Sequence, residues 1–397
     1  MKSLFVVVFL AVVHLEIKAQ VDTAAYRKLA VQVQQRYAPD KRDIYVYLQI
    51  KGDSVKLEST NEIVLQEFEK ERPKEGQVKF TSTLLPAKSL NGVTFGVTNI
   101  SVGNNRSNPQ HGAELMTQML LGTPLQVLKK QGGFYLVKTP DNYLSWTDGG
   151  ALTLMNEQTF KAWLSADKIV FTADYGHAFQ HAEVGSARIS DLVSGNVLQV
   201  LGSEKDFYKV AFPDQRVGYI QQSLASSYRD WIAKPNPTAK SVLATALTLV
   251  GVPYLWGGTS IKGVDCSGFT KTAYFLNGII IPRDASQQAL VGEPVDVLEK
   301  DSISVSKCLK NLLPGDLLFF SAAKRRGING GRVSHTAIYM GNGEFIQAAG
   351  MVKVSSLLNT ASNYDGGQTT TLVGARRILT AVGAPQLTRI DKHPWYR

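Results

Sequence analysis

The residues able to do chemistry in this chain are few. Cys266 stands in GVDCSGFTKTAYFLNG, between Asp265 and Ser267, just ahead of a run with helical apolar spacing at Phe269, Ala273 and Leu276. A thiol attacks a carbonyl carbon only as thiolate, and a helix N-terminus beside a histidine favours that anion. The segment GGTSIKGVD cannot continue a helix and Gly278 stops the run, so Cys266 is predicted in the first helical turn. The unpaired N–H groups of that turn can also hold the oxyanion of a tetrahedral intermediate. A cysteine in such a place can equally be a small buried hydrophobe. A nearby base has to decide between the two.

Of the six histidines, His14 lies in the N-terminal apolar stretch, His111, His177 and His181 in the middle of the chain, and His393 in the tail. Only His335 shares a segment with Cys266. It opens SHTAIYMGNGEFIQAAG, two β-like runs joined by the tight turn Gly341-Asn342-Gly343. Centring the turn on Asn342 pairs Ala337 with Gln347 and makes Gln347 a diagonal, same-face neighbour of His335. A polar side chain there can accept the imidazole Nδ1–H and fix the ring, as the third member of a triad does. The second cysteine, Cys308, sits in the plain amphipathic run SVSKCLKNLL. A disulfide between the two would silence Cys266, but their contexts differ enough that two free thiols are expected, with Cys308 structural. One histidine and two separated cysteines make no zinc site, so no metal or cofactor is expected.

Several elements must position these groups. The linker Lys234-Pro235-Asn236-Pro237 is read as a boundary, with Asn236 as N-cap, Pro237 at the first helical position, and Leu243, Leu247 and Val250 on one face of a helix ended by Gly251. Upstream, LLGTPLQVLKKQGGFYLVKTPDNYLSW from Leu120 and LVSGNVLQVLGSEKDFYKVAFPDQRVGY from Leu192 align without a gap. Both alternate short β-like runs with turn residues, so tandem all-β modules are predicted. Before them, VDTAAYRKLAVQVQQRY reads as an amphipathic helix, and IYVYLQI with VKLES as a hairpin turned at Lys51-Gly52-Asp53. The opening MKSLFVVVFLAVVHLEIKAQ has the layout of a secretory signal, too short to span a bilayer stably. The expected domains are therefore a signal peptide over 1–20, an α+β region over 21–92, barrels over 93–158 and 168–228, and a catalytic domain over 238–380. With 43 Lys+Arg against 33 Asp+Glu the chain is basic, +10, but the charge is dispersed without interleaved aromatics. Basic charge favours acidic partners in general (nucleic acid, anionic lipid or an acidic wall polymer) and does not choose among them; for an exported chain without a basic, aromatic-laced block no nucleic acid is expected, nor an integral membrane segment after signal cleavage.

The stretches PYLWGGTSIKGVDCSGF, LLPGDLLFF and VSHTAIYMGNGEFIQAAG, in that order, resemble the NlpC family of papain-like cysteine peptidases over roughly Thr238 to Arg377. The repeats resemble bacterial SH3 domains. The fold class implied is α+β: a papain-like NlpC catalytic domain preceded by two small SH3-like β-barrels and a small N-terminal α+β region. By this resemblance Cys266 matches the nucleophile and His335 the base, while Gln347 stands where the family most often has a second histidine. The whole layout is similar to the gamma-D-glutamyl-L-diamino acid endopeptidases, which implies cleavage of muropeptides bearing a free N-terminal L-Ala, outside the cytoplasm. Asp284 in IPRDASQQ matches a position that contacts the substrate amine, with Glu114 in HGAELMTQ and Tyr143 in DNYLSW as further contacts. Asp265 and Ser267 match positions lining the pocket, and Tyr254 and Trp256 offer a flat wall. Asp316 in LPGDLLFF reads as a turn ahead of a buried strand and is left outside the site. The competing reading is a wall-binding protein whose peptidase domain is degenerate.

Overall fold

The computed structural model describes residues 22–74, 78–233, 236–300, 302–325 and 332–396, and the chain divides between Leu85 and Pro86. The signal segment expected over 1–20 lies outside the described residues. Among those residues no helix is long and apolar enough to cross a membrane.

Up to Leu85 the apolar residues form a core of their own. Helix Thr23–Tyr37 is capped by Asp22, which accepts from Ala25 N, and buries Tyr26, Leu29 and Val33. They meet the hairpin Val46–Lys51 with Ser54–Ser59, whose turn uses Gly52 at φ +59°. A second helix, Glu62–Glu71, returns the chain so that Lys79–Leu84 pairs parallel to Ser54–Ser59.

From Pro86 onward, two seven-stranded antiparallel sheets repeat one topology strand for strand. The spacing of 73 residues that separates Pro124 from Val197 also separates Phe134 from Phe207 and Leu144 from Val217, each the first residue of a strand. Gly122 and Gly195 hold matching left-handed turns at φ +83° and +89°. The backbone there is crowded: a Cβ on Gly122 would meet the Val197 carbonyl, so the two barrels touch through their own turns.

The third part carries a six-stranded antiparallel sheet in the order Glu293–Val295, Leu372–Arg377, Leu317–Phe320, His335–Gly341, Glu344–Ala349, Met351–Ser356. Helix Cys266–Phe275 lies on it, with Phe269, Ala273 and Tyr274 packed among Leu317, Phe319, Ile338 and Ile346. Tyr274 donates to the Gly315 carbonyl at 2.6 Å, so the one polar atom on that face is satisfied. Cys308 is fully buried in a neighbouring apolar cluster with Phe320 and Phe345, and both cysteines are free thiols. Asp316 accepts from Leu313 N and pairs with Arg377, a structural turn at the head of its strand.

The preceding helix departs from its expected form. It runs Ala239–Thr248, capped by Thr238, whose hydroxyl accepts from Ser241 N while Ser241 answers to Thr238 N. That reciprocal box displaces Asn236, whose side chain instead accepts from Arg389. The face is also rotated: Val242, Ala246 and Leu249 are buried, whereas Leu247 and Val250 are 46% and 50% exposed. Alanine at 246 is as buried as any larger residue, because it lets this helix approach the cysteine helix.

Gly268 seats the cysteine helix. A methyl there would collide with the Gly258 carbonyl oxygen. Gly268→Ala is therefore expected to destabilise the chain by about 3 kcal/mol, the upper end for overpacking, because the neighbour is backbone. Urea unfolding followed by tryptophan fluorescence checks this; an unchanged midpoint would contradict it.

Candidate active site

Cys266 opens its helix directly behind the N-cap Asp265, whose Oδ1 accepts from Gly268 N at 2.6 Å. A carboxylate one residue from a thiol disfavours the thiolate, so its charge needs an answer. Arg283 supplies it. The guanidinium is 1% exposed and forks onto Asp265, Nη2 to Oδ2 at 2.6 Å and Nη1 to Oδ1 at 3.1 Å. Its remaining donors reach Ser267 Oγ at 2.9 Å and Thr117 Oγ1 of the first barrel at 2.9 Å. Asp265 Oδ2 also accepts from Gly257 N. Burial drives the Asp265 carboxyl upward, but Arg283 and the two N–H groups outweigh it and hold it below the usual carboxylate range. Asp265 and Ser267, expected to line the pocket, are both hydrogen-bonded in this buried network.

The thiol itself moves opposite to expectation. Burial, then the Asp265 charge, push Cys266 up to about 12, against the pull of the Thr336 and Ser267 N–H groups and of Arg283. Desolvation of an anion outweighs the helix start when the sulfur is this enclosed. Enclosure of the sulfur thus works against the anion that the helix start favours. Tyr254 is half-buried, and burial is the main cause that raises its phenol.

His335 heads the strand that packs on the cysteine helix, next to the Thr336 N–H that reaches the sulfur. The hairpin has the predicted register, with Ile338 opposite Ile346 and a bulge at the turn. Gln347 is fully buried, and its Oε1 lies 2.7 Å from His335 Nε2. The sequence reading placed Nδ1 on the glutamine; the ring is turned the other way, because the same-face diagonal reaches the outer nitrogen. The Gln347 amide nitrogen donates to Ser355 Oγ at 2.9 Å and to Asp365 Oδ2 at 3.0 Å.

Two further carboxylates meet the junction with the first barrel. Asp284, next to Arg283, accepts from the Tyr143 hydroxyl at 3.2 Å, and Tyr143 is otherwise buried in the barrel. Exposed Glu114 accepts from Trp256 Nε1 at 2.9 Å, and Trp256 is 61% exposed one residue from Gly257. The barrel is fixed here by Gln118, which accepts from Thr259 N and Thr259 Oγ1, and by the Lys271–Asp141 pair. In the second barrel the 73-residue spacing puts Ala187 and Arg216 where the first has Glu114 and Tyr143. Asn142 and Gln215 keep the same left-handed turn, yet Arg216 uses it to bond the Asn99 carbonyl at 2.6 Å. Copy two braces copy one; only copy one faces the cysteine.

Arg283, Thr117, Ser355 and Asp365 escaped the sequence reading. Arg283 left one usable sign, a lone cation after the apolar GIIIP run; Thr117 and Asp365 left none, since each arrives by docking from another segment. Among the described residues no group of three or more His, Cys, Asp or Glu side chains is placed to hold a metal ion.

Comparison with known proteins agrees with this geometry. Residues 251–376 match the model of the NlpC/P60 family, and residues 105–152 that of the bacterial dipeptidyl-peptidase SH3 domain. The chain is 28% identical over 249 residues to a gamma-D-glutamyl-L-lysine dipeptidyl-peptidase of Bacillus cereus, covering 59% of this chain and 67% of that protein. It is 27% identical over 254 residues to dipeptidyl-peptidase 6 of Lysinibacillus sphaericus, covering 62% and 85%. A crystal structure of an NlpC/P60 family protein from Bacillus cereus superposes with a TM-score of 0.59 at 24% identity, covering 72% of this chain and all of the other, and so shares the fold. The thiol and its histidine thus lie in an NlpC/P60 cysteine peptidase domain, and the barrel docked beside them is a bacterial dipeptidyl-peptidase SH3 domain: the chain is a hydrolase built on them.

Proposed function

We propose that this protein is an exported peptidase that hydrolyses the bond between gamma-D-Glu and the diamino acid of cell-wall muropeptides carrying a free N-terminal L-Ala, through a thioester on Cys266. The observation that carries the reading is that Asp284 and Glu114, two carboxylates, each take a hydrogen bond across the junction of first barrel and peptidase, from Tyr143 and Trp256. An ammonium terminus demands such acceptors, and a site built around them penalises a substrate that lacks the charge. The names of the Bacillus cereus and Lysinibacillus sphaericus relatives support the same substrate class. Export rests on the N-terminal apolar segment and on where wall peptides are found. The hydrogen bond from His335 to Gln347 supports an enzyme over a degenerate wall-binding domain.

The chemistry follows from a neutral thiol. His335 Nδ1 takes the Cys266 proton, giving thiolate and imidazolium, and the thiolate adds to the gamma-carbonyl carbon as its π pair moves onto oxygen. The oxyanion is met by the backbone N–H of Cys266, since the Gly268 N–H is held by the Asp265 cap. The imidazolium then protonates the leaving amine, and water activated by the same nitrogen clears the thioester.

Cys266→Ala and His335→Ala are each expected to lose at least about 1,000-fold in kcat/KM on L-Ala-gamma-D-Glu-diamino acid peptides, read by chromatography of the products. Asp284→Asn is expected to raise KM about 10- to 100-fold, the worth of one charge-assisted hydrogen bond, and N-acetylation of the substrate to do the same. Equal cleavage of free and acetylated peptides would remove the ammonium pocket. The raised thiol gives a pH signature: the reactive anion is the deprotonated form, so iodoacetamide alkylation of the free enzyme should climb steadily from pH 6 to 10. A rate plateau below pH 9 would contradict the neutral resting state.

A further inference from the structure

Behind the histidine and its glutamine stands a group that neither the sequence nor the family match singles out. Asp365 Oδ2 accepts from Gln347 Nε2 at 3.0 Å, while Asp365 Oδ1 caps the short helix Gly366–Thr369 by accepting from Gln368 N. A side-chain amide can sit either way round, and its neighbours decide which. Ser355, the other neighbour, is a hydroxyl that donates or accepts with either orientation. A carboxylate only accepts. Asp365 therefore requires the amide nitrogen on its side and the amide oxygen toward the ring. Facing that oxygen, His335 Nε2 must carry the proton, and Nδ1 keeps the lone pair. With the amide reversed, Nε2 would have to accept, Nδ1 would carry the proton, and the ring could not take one from the thiol.

We infer that Asp365 is a positioning residue for the reaction, acting through the Gln347 amide to fix the tautomer of His335. The inference rests on the reading of His335 as the base. It explains how a neutral glutamine serves in place of an ionisable third member: the directing charge is one hydrogen bond further back, where it also holds its own loop by capping.

Asp365→Asn tests it, because asparagine caps a helix as well as aspartate does and so keeps the loop. It offers the Gln347 amide either polarity. The expected result is a fall in kcat of about 10- to 100-fold with KM unchanged, the usual cost of losing an orienting partner behind a catalytic group. The nitrogen-15 spectrum of the histidine rings, with His335 assigned through His335→Gln, should show loss of the single Nε2–H form. A double-mutant cycle separates this role from capping: in a Gln347→Leu background Asp365→Asn should cost nothing further, whereas a structural cap would cost the same in both. Wild-type kcat in Asp365→Asn, an unchanged tautomer, or additive losses would each overturn the inference. If His335→Ala stays active the base assignment itself fails; if His335→Ala is dead while Asp365→Asn is unaffected, only the tautomer role fails.

Discussion

A carboxylate one residue ahead of a nucleophilic sulfur is the constraint around which the molecule is arranged. Asp265 is needed as N-cap, since it closes the first turn of the helix and ties it to the Gly257 loop. Left unanswered, the same charge would oppose every step in which the sulfur becomes anionic. Arg283 answers it at the cost of burying two ions, a cost that falls when all the donors are used. Here four of the five N–H groups are placed: two on Asp265, one on Ser267 and one on Thr117. Because Thr117 belongs to the first barrel, the pair that neutralises the cap also locks the barrel to the peptidase. The barrel's share of that contact is the Thr117 hydroxyl, joined at the same junction by the Gln118–Thr259 bonds and the Lys271–Asp141 pair.

That junction explains the division of labour between two copies of one module. The copies share topology, spacing and the left-handed residue of the loop after the second long strand. In the first copy that loop sends Asp141 to Lys271 and Tyr143 to Asp284, both in the peptidase. In the second it sends Arg216 to the first copy. One barrel thus bonds the peptidase at Lys271 and Asp284, and the other bonds the first, with Asp191 of the second also reaching Lys262.

Much of this was legible in the sequence. The cysteine helix, the histidine strand and the glutamine register follow from glycine punctuation and from a β-period centred on Asn342, which local geometry sets. The repeat was visible because its offset never varies. What the sequence hid depends on surroundings. Thr238 outcompetes Asn236 because Ser241 answers it, and the buried face of that helix is chosen by what packs on it. Pairing alone does not reveal which imidazole nitrogen meets Gln347, and the enclosure that raises the Cys266 thiol is a property of the finished fold. Arg283 and Asp365 come from segments whose approach is fixed only by tertiary docking.

The central claim is that Cys266, neutral until His335 takes its proton, becomes acylated by the gamma-glutamyl carbonyl. Rapid acid quench of the enzyme with L-Ala-gamma-D-Glu-diamino acid substrate, followed by mass spectrometry of its peptides, tests this most directly. The account predicts an L-Ala-D-Glu adduct confined to the peptide containing Cys266 and lost on treatment with hydroxylamine. Turnover at full rate with that peptide unmodified at every quench time, or an adduct carried by another residue, would contradict it.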